Sequence, residues 1–437
     1  MKLKFAGTSG LQALFYLSLL YFTILMPWQL KWLPISLGMM LAGLFWLLIA
    51  DFKAKLRRLS ANKYVALFFS LYLLLAIGAI YSNRPSEAAK ELLLKVPFIV
   101  WPLLLSTTVG LKKQSINYLF KVFIVSNLLM LIASLLFAVY RYMNGAHGEV
   151  FYFGELLSLV LVPPHYIGLY LSFSYAILLH RFVHNRPVFQ TKVMNIGGLL
   201  LLFTGVILLS VRMQYLVFVL VNFIILQAFL RKHIGQAKSV FSLAGFAVVF
   251  LALLLAFPGS RSRLIDTYNE TRSFEKMIEN KQTNPRKFLW LAGFEVIREN
   301  FWFGAGTGIE DRALNDKLVE MDAIFWDGRQ TYQIYEMRYN YHNSYLQTFA
   351  ANGVFAFIIL ITLFVYPLLK IRHHPYRSEA SFFLLICALS FMTESMLQRQ
   401  AGVAFFSFFY SVFFIMIAIP DKALSEKRKE SKLRNLD

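Results

Sequence analysis

Apolar runs of roughly twenty residues recur from one end of this 437-residue chain to the other. Backbone surrounded by lipid must satisfy its own hydrogen bonds, so such a run folds as a helix across the bilayer. Twelve spans are read, near residues 10–28, 33–50, 64–82, 94–110, 118–140, 165–182, 193–211, 213–230, 239–257, 346–368, 380–397 and 402–419. Hydrophobic residues make up 58% of the chain, with 43 phenylalanines, more than a soluble core needs. The expected fold is all-α: a polytopic membrane bundle of about twelve helices.

A net charge of +20 could signal a nucleic-acid partner, so its placement matters. With both termini cytoplasmic, the inner segments carry 25 basic and six acidic residues, and the outer ones 19 and 18. That asymmetry is the positive-inside rule, not a nucleic-acid footprint. Each outer arginine then needs its own account. Cys387 is the single cysteine, so no disulfide forms within the chain. The N-terminal apolar segment follows two lysines and has no small-x-small cleavage site, so it is expected to stay as the first helix.

Four regions are expected. Residues 1–257 form a transmembrane bundle of nine spans, 258–341 an outer loop or cap, 342–420 the last three spans, and 421–437 a basic cytoplasmic tail. The cap is read as small and helical, with one helix from Arg286 to Asn300 after Asn284-Pro285 and another over Ile309–Met321. Gly304-Ala305-Gly306-Thr307-Gly308 lacks the Lys-Ser/Thr of a P-loop and the preceding strand of a dinucleotide fold, so it reads as a closely packed turn.

His342, with Asn343 beside it, falls at the outer mouth of the tenth span. Unpaired N–H groups at a helix start disfavour an imidazolium, and a neutral imidazole beside a water-filled cleft can accept a proton. A boundary histidine can equally be an interfacial residue bonded to a carbonyl. His342, Leu346, Phe349 and Gly353 share one helix face, where Gly353 would let a neighbouring helix approach. Arg212 sits in the tight turn Leu209-Ser210-Val211-Arg212-Met213-Gln214. It could snorkel to headgroups, or its fork could hold a diphosphate better than a lysine would. Arg261, Arg263 and Arg286 are at the starts of two cap helices; they pair with Asp266, Glu270 or Glu295, or converge over the rim. Glu394 is half of an ion pair with Arg399 or an orienting group, and His165 is a further candidate. His373-His374 read as structural, and no metal-ligand spacing stands out on the outer face.

These residues resemble the bacterial O-antigen ligase and O-antigen polymerase superfamily of polytopic glycosyltransferases. The most specific likeness is His342-Asn343, nine residues, then Gly353; the family's next motif position, usually Gly, Thr or Tyr, is Ala356 here. Thr204-Gly205 through Ser210-Val211-Arg212 is similar to the family's small-residue-plus-arginine turn. Arg286…Trp290…Gly304-Ala305-Gly306 resembles its outer-loop signature. The likeness covers about residues 195 to 400 and implies a GT-C-like bundle with a periplasmic cap, in the inner membrane. It also implies transfer of a glycan from undecaprenyl diphosphate to an acceptor on the periplasmic face, without metal or other cofactor. The acceptor would be lipid A–core for a ligase, a second lipid-linked repeat unit for a polymerase, or a protein. His342 would be the base, and Arg212, Arg286, Arg261 or Arg263 would hold the diphosphate, with Asn343, Gly353 and Glu394 in support. A transporter or flippase of lipid-linked sugars is the rival from another class, and would carry repeats, broken helices and ionisable groups near the midplane.

Overall fold

The structure, a computed structural model, describes residues 10–30, 34–49, 52–60, 62–108, 113–266, 268, 285–326, 331–333, 336 and 338–416. The basic tail and Glu270 lie outside them.

Each of the twelve expected spans coincides with a helix. Seven are long and apolar enough to cross a membrane: Lys63–Ile80, Lys113–Met143, Pro164–Val183, Lys192–Leu209, Arg212–Ile234, Gln236–Ala256 and Ser344–Lys370. Gly10–Leu25, Ile35–Leu48 and Gln400–Met416 are shorter apolar helices. The first, second, fourth and eleventh expected spans are shorter than read, at Gly10–Leu25, Ile35–Leu48, Pro97–Thr107 and Arg377–Phe391. The reason at the fourth is local. Pro97 has no N–H to donate to the carbonyl four residues back, and Lys95 (φ −95°, ψ 6°) leaves helical geometry, so the chain breaks at Lys95-Val96 between the helices Pro85–Leu94 and Pro97–Thr107.

Two helices form the centre. Pro164–Val183 buries an unbroken run from Tyr166 to Leu179 and packs against Lys113–Met143, Lys192–Leu209, Arg212–Ile234 and Arg377–Phe391. Gln400–Tyr410 is buried from Ala401 onward and continues through a π-turn, Ser411–Met416. Between them the phenylalanines do the packing: Phe173 meets Phe405 at 5.7 Å and Phe409 at 5.2 Å between ring centres, both edge-on. Lipid tails are as apolar as these rings, so close contact and ring geometry, not escape from water, hold such a centre together.

The described residues of the segment after residue 257 are mostly helical, as expected. Residues 258–266 begin it; Pro285–Glu299 and Glu310–Glu320 follow. A hairpin is the exception: Ile324–Trp326 pairs antiparallel with Thr331–Gln333. The cap helices have their own small core, in which Leu289, Ala292, Val296, Leu314 and Leu318 close around Tyr341 and Ala350.

Candidate active site

The helix Ser344–Lys370 is broken one-third of the way along. Asn352 (φ −134°, ψ 15°) and Gly353 (φ 72°, ψ −172°) leave helical geometry. The carbonyls and amides this frees are taken up by the cap. Val354 N–H donates to the Phe301 carbonyl (3.0 Å), while the carbonyls of Ala350 and Ala351 accept from Ala305 N–H (2.7 Å) and Gly306 N–H (2.9 Å). Asn352 Nδ2 donates to Thr307 Oγ1 (2.8 Å), which donates to the Leu75 carbonyl (2.7 Å). Gly353 needs its left-handed φ, and a Cβ there would collide with the Trp302 carbonyl. Gly304 (φ 76°) is likewise pressed onto the backbone at Ala351. The glycine run is thus a packing turn, and what approaches Gly353 is this loop rather than a helix.

Upstream of the break, Asn343 caps the helix: its Oδ1 accepts from Tyr345 N–H (2.9 Å) and Leu346 N–H (3.1 Å). His342 therefore precedes the helix rather than sharing its face. It stands at φ 44°, uncommon for a residue with a side chain, and is held there by its N–H donating to Asn340 Oδ1 (2.9 Å). Trp290 Nε1 donates to the Tyr341 carbonyl (3.2 Å), and Tyr341 itself is fully buried with its hydroxyl donating to the Glu310 carbonyl (3.0 Å). The cap helix Pro285–Glu299 therefore clamps the residue before His342 while placing Arg286, in its first turn, nearby.

The imidazole faces Glu394. Its Nδ1 is 3.1 Å from Glu394 Oε2, and His165 Nδ1 is 3.9 Å from the same oxygen. Glu394 lies in the turn after Arg377–Phe391; its backbone carbonyl accepts from Ser344 Oγ (2.9 Å), which ties this turn to the start of the broken helix. Burial alone would raise the Glu394 carboxyl. The hydrogen bond from His342 and the positive charges of His165, His342 and Arg286 outweigh it and hold the group below its ordinary value. The alternative of an Arg399 partner is not what the structure has: Arg399 is exposed, and the Glu394 side chain turns inward to the two histidines. With Glu394 ionised, Nδ1 carries the proton and Nε2 is the nitrogen left to accept one.

A cavity of about 690 Å³ opens beside this pair, lined by His342, His165, Arg212, Arg263, Arg286 and Tyr339. Each arginine arrives by a distinct route. Ser210, in left-handed conformation (φ 52°), and Val211 alone separate two long helices, so Arg212 opens the second of them at the rim. Ser260 is buried and donates to the Ile207 carbonyl (2.9 Å), and Tyr215 donates to Ser260 Oγ (2.7 Å), which pins residues 258–266 against the same turn. Arg263, three residues on, shares the face of Ser260 and enters the cavity, its guanidinium 4.5 Å above the Phe153 ring. Arg261 falls on the other face, is exposed and does not line the cavity. Asp266 comes within 3.9 Å of Arg212, and Glu295 pairs with Arg298 at 2.6 Å. His374 serves the fold: its ring accepts from Tyr376 N–H (3.1 Å) and contacts the Phe413 carbonyl (2.9 Å).

Sequence reasoning did not single out Tyr339 and Phe153, which line the cavity. Nothing in their local sequence separates them from the chain's other aromatic residues. Among the described residues no group of three or more His, Cys, Asp or Glu is disposed to hold a metal ion.

Residues 197–361 match a family model described as O-antigen ligase. That stretch contains Arg212, Arg263, Arg286, His342 and the Gly353 break, while Glu394 lies beyond it. Comparison with curated proteins finds no match.

Proposed function

Since residues 197–361 match a family model described as O-antigen ligase, we propose that the chain belongs to the O-antigen ligase and polymerase superfamily and is a metal-independent inverting glycosyltransferase of the bacterial inner membrane. It takes a glycan from undecaprenyl diphosphate and ligates it to lipid A–core at the periplasmic end of the bundle. The observation that carries this reading is one cavity shared by a carboxylate-bound histidine and three arginines from distant parts of the chain.

The acceptor hydroxyl oxygen attacks the anomeric carbon from the side opposite the diphosphate. Its proton passes to His342 Nε2 while the bond from the anomeric carbon to the diphosphate oxygen breaks. Glu394 keeps the ring oriented and stabilises the imidazolium as it forms. Arg212, Arg263 and Arg286 hold the diphosphate and stabilise the charge it gains on leaving, in a site where fixed cations need no reorganisation. A positioned base of this kind contributes about 10²- to 10⁴-fold. The bundle offers a lipid-facing path for the polyprenyl chain, and the cap encloses the sugars.

The acceptor is tested by reconstituting the protein with a lipid-diphosphate glycan and offering lipid A–core, a second donor molecule and a peptide together. Glycan on lipid A–core is the expected product. Chain extension of the donor would replace ligation by polymerisation, and transport without any transfer would remove the enzyme reading.

A further inference from the structure

Pro164–Val183 carries His165 at one end and His180 and Arg181 at the other, about 22 Å apart at 1.5 Å per residue. The far end opens on a second cavity, of about 650 Å³. Five basic side chains line it: Lys113, Lys121, Arg181, Arg186 and Arg377. Its one carboxylate, Glu379, is already taken, with Arg181 Nε at 3.0 Å. Among the described residues no carboxylate pairs with the other four.

The positive-inside rule accounts for basic residues in solvated turns. Lys121 is not in a turn: it lies two turns along the helix Lys113–Met143, half-buried, and its ammonium meets the Phe189 ring at 5.8 Å from the ring centre but no carboxylate among the described residues. Lys121 and Tyr118 also line a third feature, an apolar groove of about 490 Å³ between Gly10–Leu25 and Lys113–Met143. Leu25, Trp28, Val122, Val125 and Leu129 form its walls. A cationic chamber thus runs directly into an apolar channel, the shape of a molecule with an anionic head and a hydrocarbon tail.

We infer that this pair of cavities binds an anionic glycerophospholipid, its phosphate among Lys121, Arg186 and Arg377 and an acyl chain in the groove beside Val125. A soluble phosphate would use the chamber and leave the groove idle. The lipid reading is independent of the glycan-transfer reading, since it shares no residue with the His342 cavity.

The test uses the full-length protein, delipidated in detergent, with phosphatidylglycerol or phosphatidylethanolamine added back and bound lipid counted by native mass spectrometry. Wild-type protein is expected to retain phosphatidylglycerol preferentially. Each basic residue facing anionic lipid contributes about fivefold, so Lys121→Gln with Arg186→Gln should weaken retention about 25-fold. Val125→Trp, which fills the groove, should weaken it too, and millimolar inorganic phosphate should not displace the lipid. Circular dichroism and size-exclusion profiles verify that both variants fold. Equal retention of the two lipids, or retention indifferent to the charge variant, would overturn the proposal. Displacement by inorganic phosphate together with no effect of Val125→Trp would also overturn it, in favour of a soluble phosphate.

Discussion

The hydrogen bond between His342 Nδ1 and Glu394 decides which imidazole nitrogen faces the cavity, and much of the chemistry depends on that choice. Glu394→Gln keeps an oxygen for Nδ1–H but removes the charge. Transfer is expected to fall by about 10² to 10⁴, measured as the initial rate with a labelled lipid-diphosphate donor. The same pair carries a pH signature. Because the Glu394 carboxyl is held below its ordinary 4.5, its contribution to stability is complete above that pH and is lost as pH falls through the lowered value. The difference in unfolding temperature between wild type and Glu394→Gln should therefore shrink on acidification below about pH 4.5 and stay level above it. For the arginines, Arg212→Lys should impair transfer although the charge remains, because an ammonium cannot make the forked contact; Arg261→Lys should leave the rate unchanged. At this scale the sequence was informative where position alone mattered. His342, Arg212 and Arg286 stand at predicted helix mouths, and all three line one cavity. It could not choose a partner for Glu394, since that depends on how a turn folds back, nor separate Arg263 from Arg261, whose fates differ by the 200° between two positions on a helix.

Among the elements, the broken helix and the cap are one construction. Without the loop 301–306, the carbonyls of Ala350 and Ala351 would be left unpaired at the break, at a cost of about 1–3 kcal/mol each if buried. A broken helix is also what a transporter would show, but this one is closed by hydrogen bonds from the cap. Gly353→Ala should lower the unfolding temperature of the solubilised protein and reduce transfer, because both its φ and the Trp302 carbonyl exclude a Cβ. Gly43→Ala, in a helix with open space around it, should do neither. Two of the three motifs that carry the family likeness, the stretches ending at Gly353 and at Gly306, are therefore two halves of a single joint, which no reading of either motif alone reveals. The cap helix Pro285–Glu299 was legible from its proline start and apolar spacing. The hairpin at Ile324–Trp326 and Thr331–Gln333 was not read, although strand-forming residues on either side of Asp327-Gly328 carry its signal.

For the whole molecule, hydropathy located the apolar helices among the described residues but not the basic helix Phe52–Ser60, and it overestimated several lengths, because apolar composition does not register the Lys95-Val96 break or the turn that ends Arg377–Phe391. What hydropathy cannot give is depth within the bundle. Pro164–Val183 and Gln400–Tyr410 look no more apolar than their neighbours, yet they make the buried centre on which the other helices hold both cavities at opposite ends. The account rests on that scaffold bringing a proton acceptor to a held diphosphate. The most direct test is His342→Ala in proteoliposomes loaded with the lipid-diphosphate glycan and lipid A–core. Donor binding at wild-type affinity with transfer reduced at least about 100-fold is the result expected for loss of the base. Transfer at the wild-type rate would contradict it.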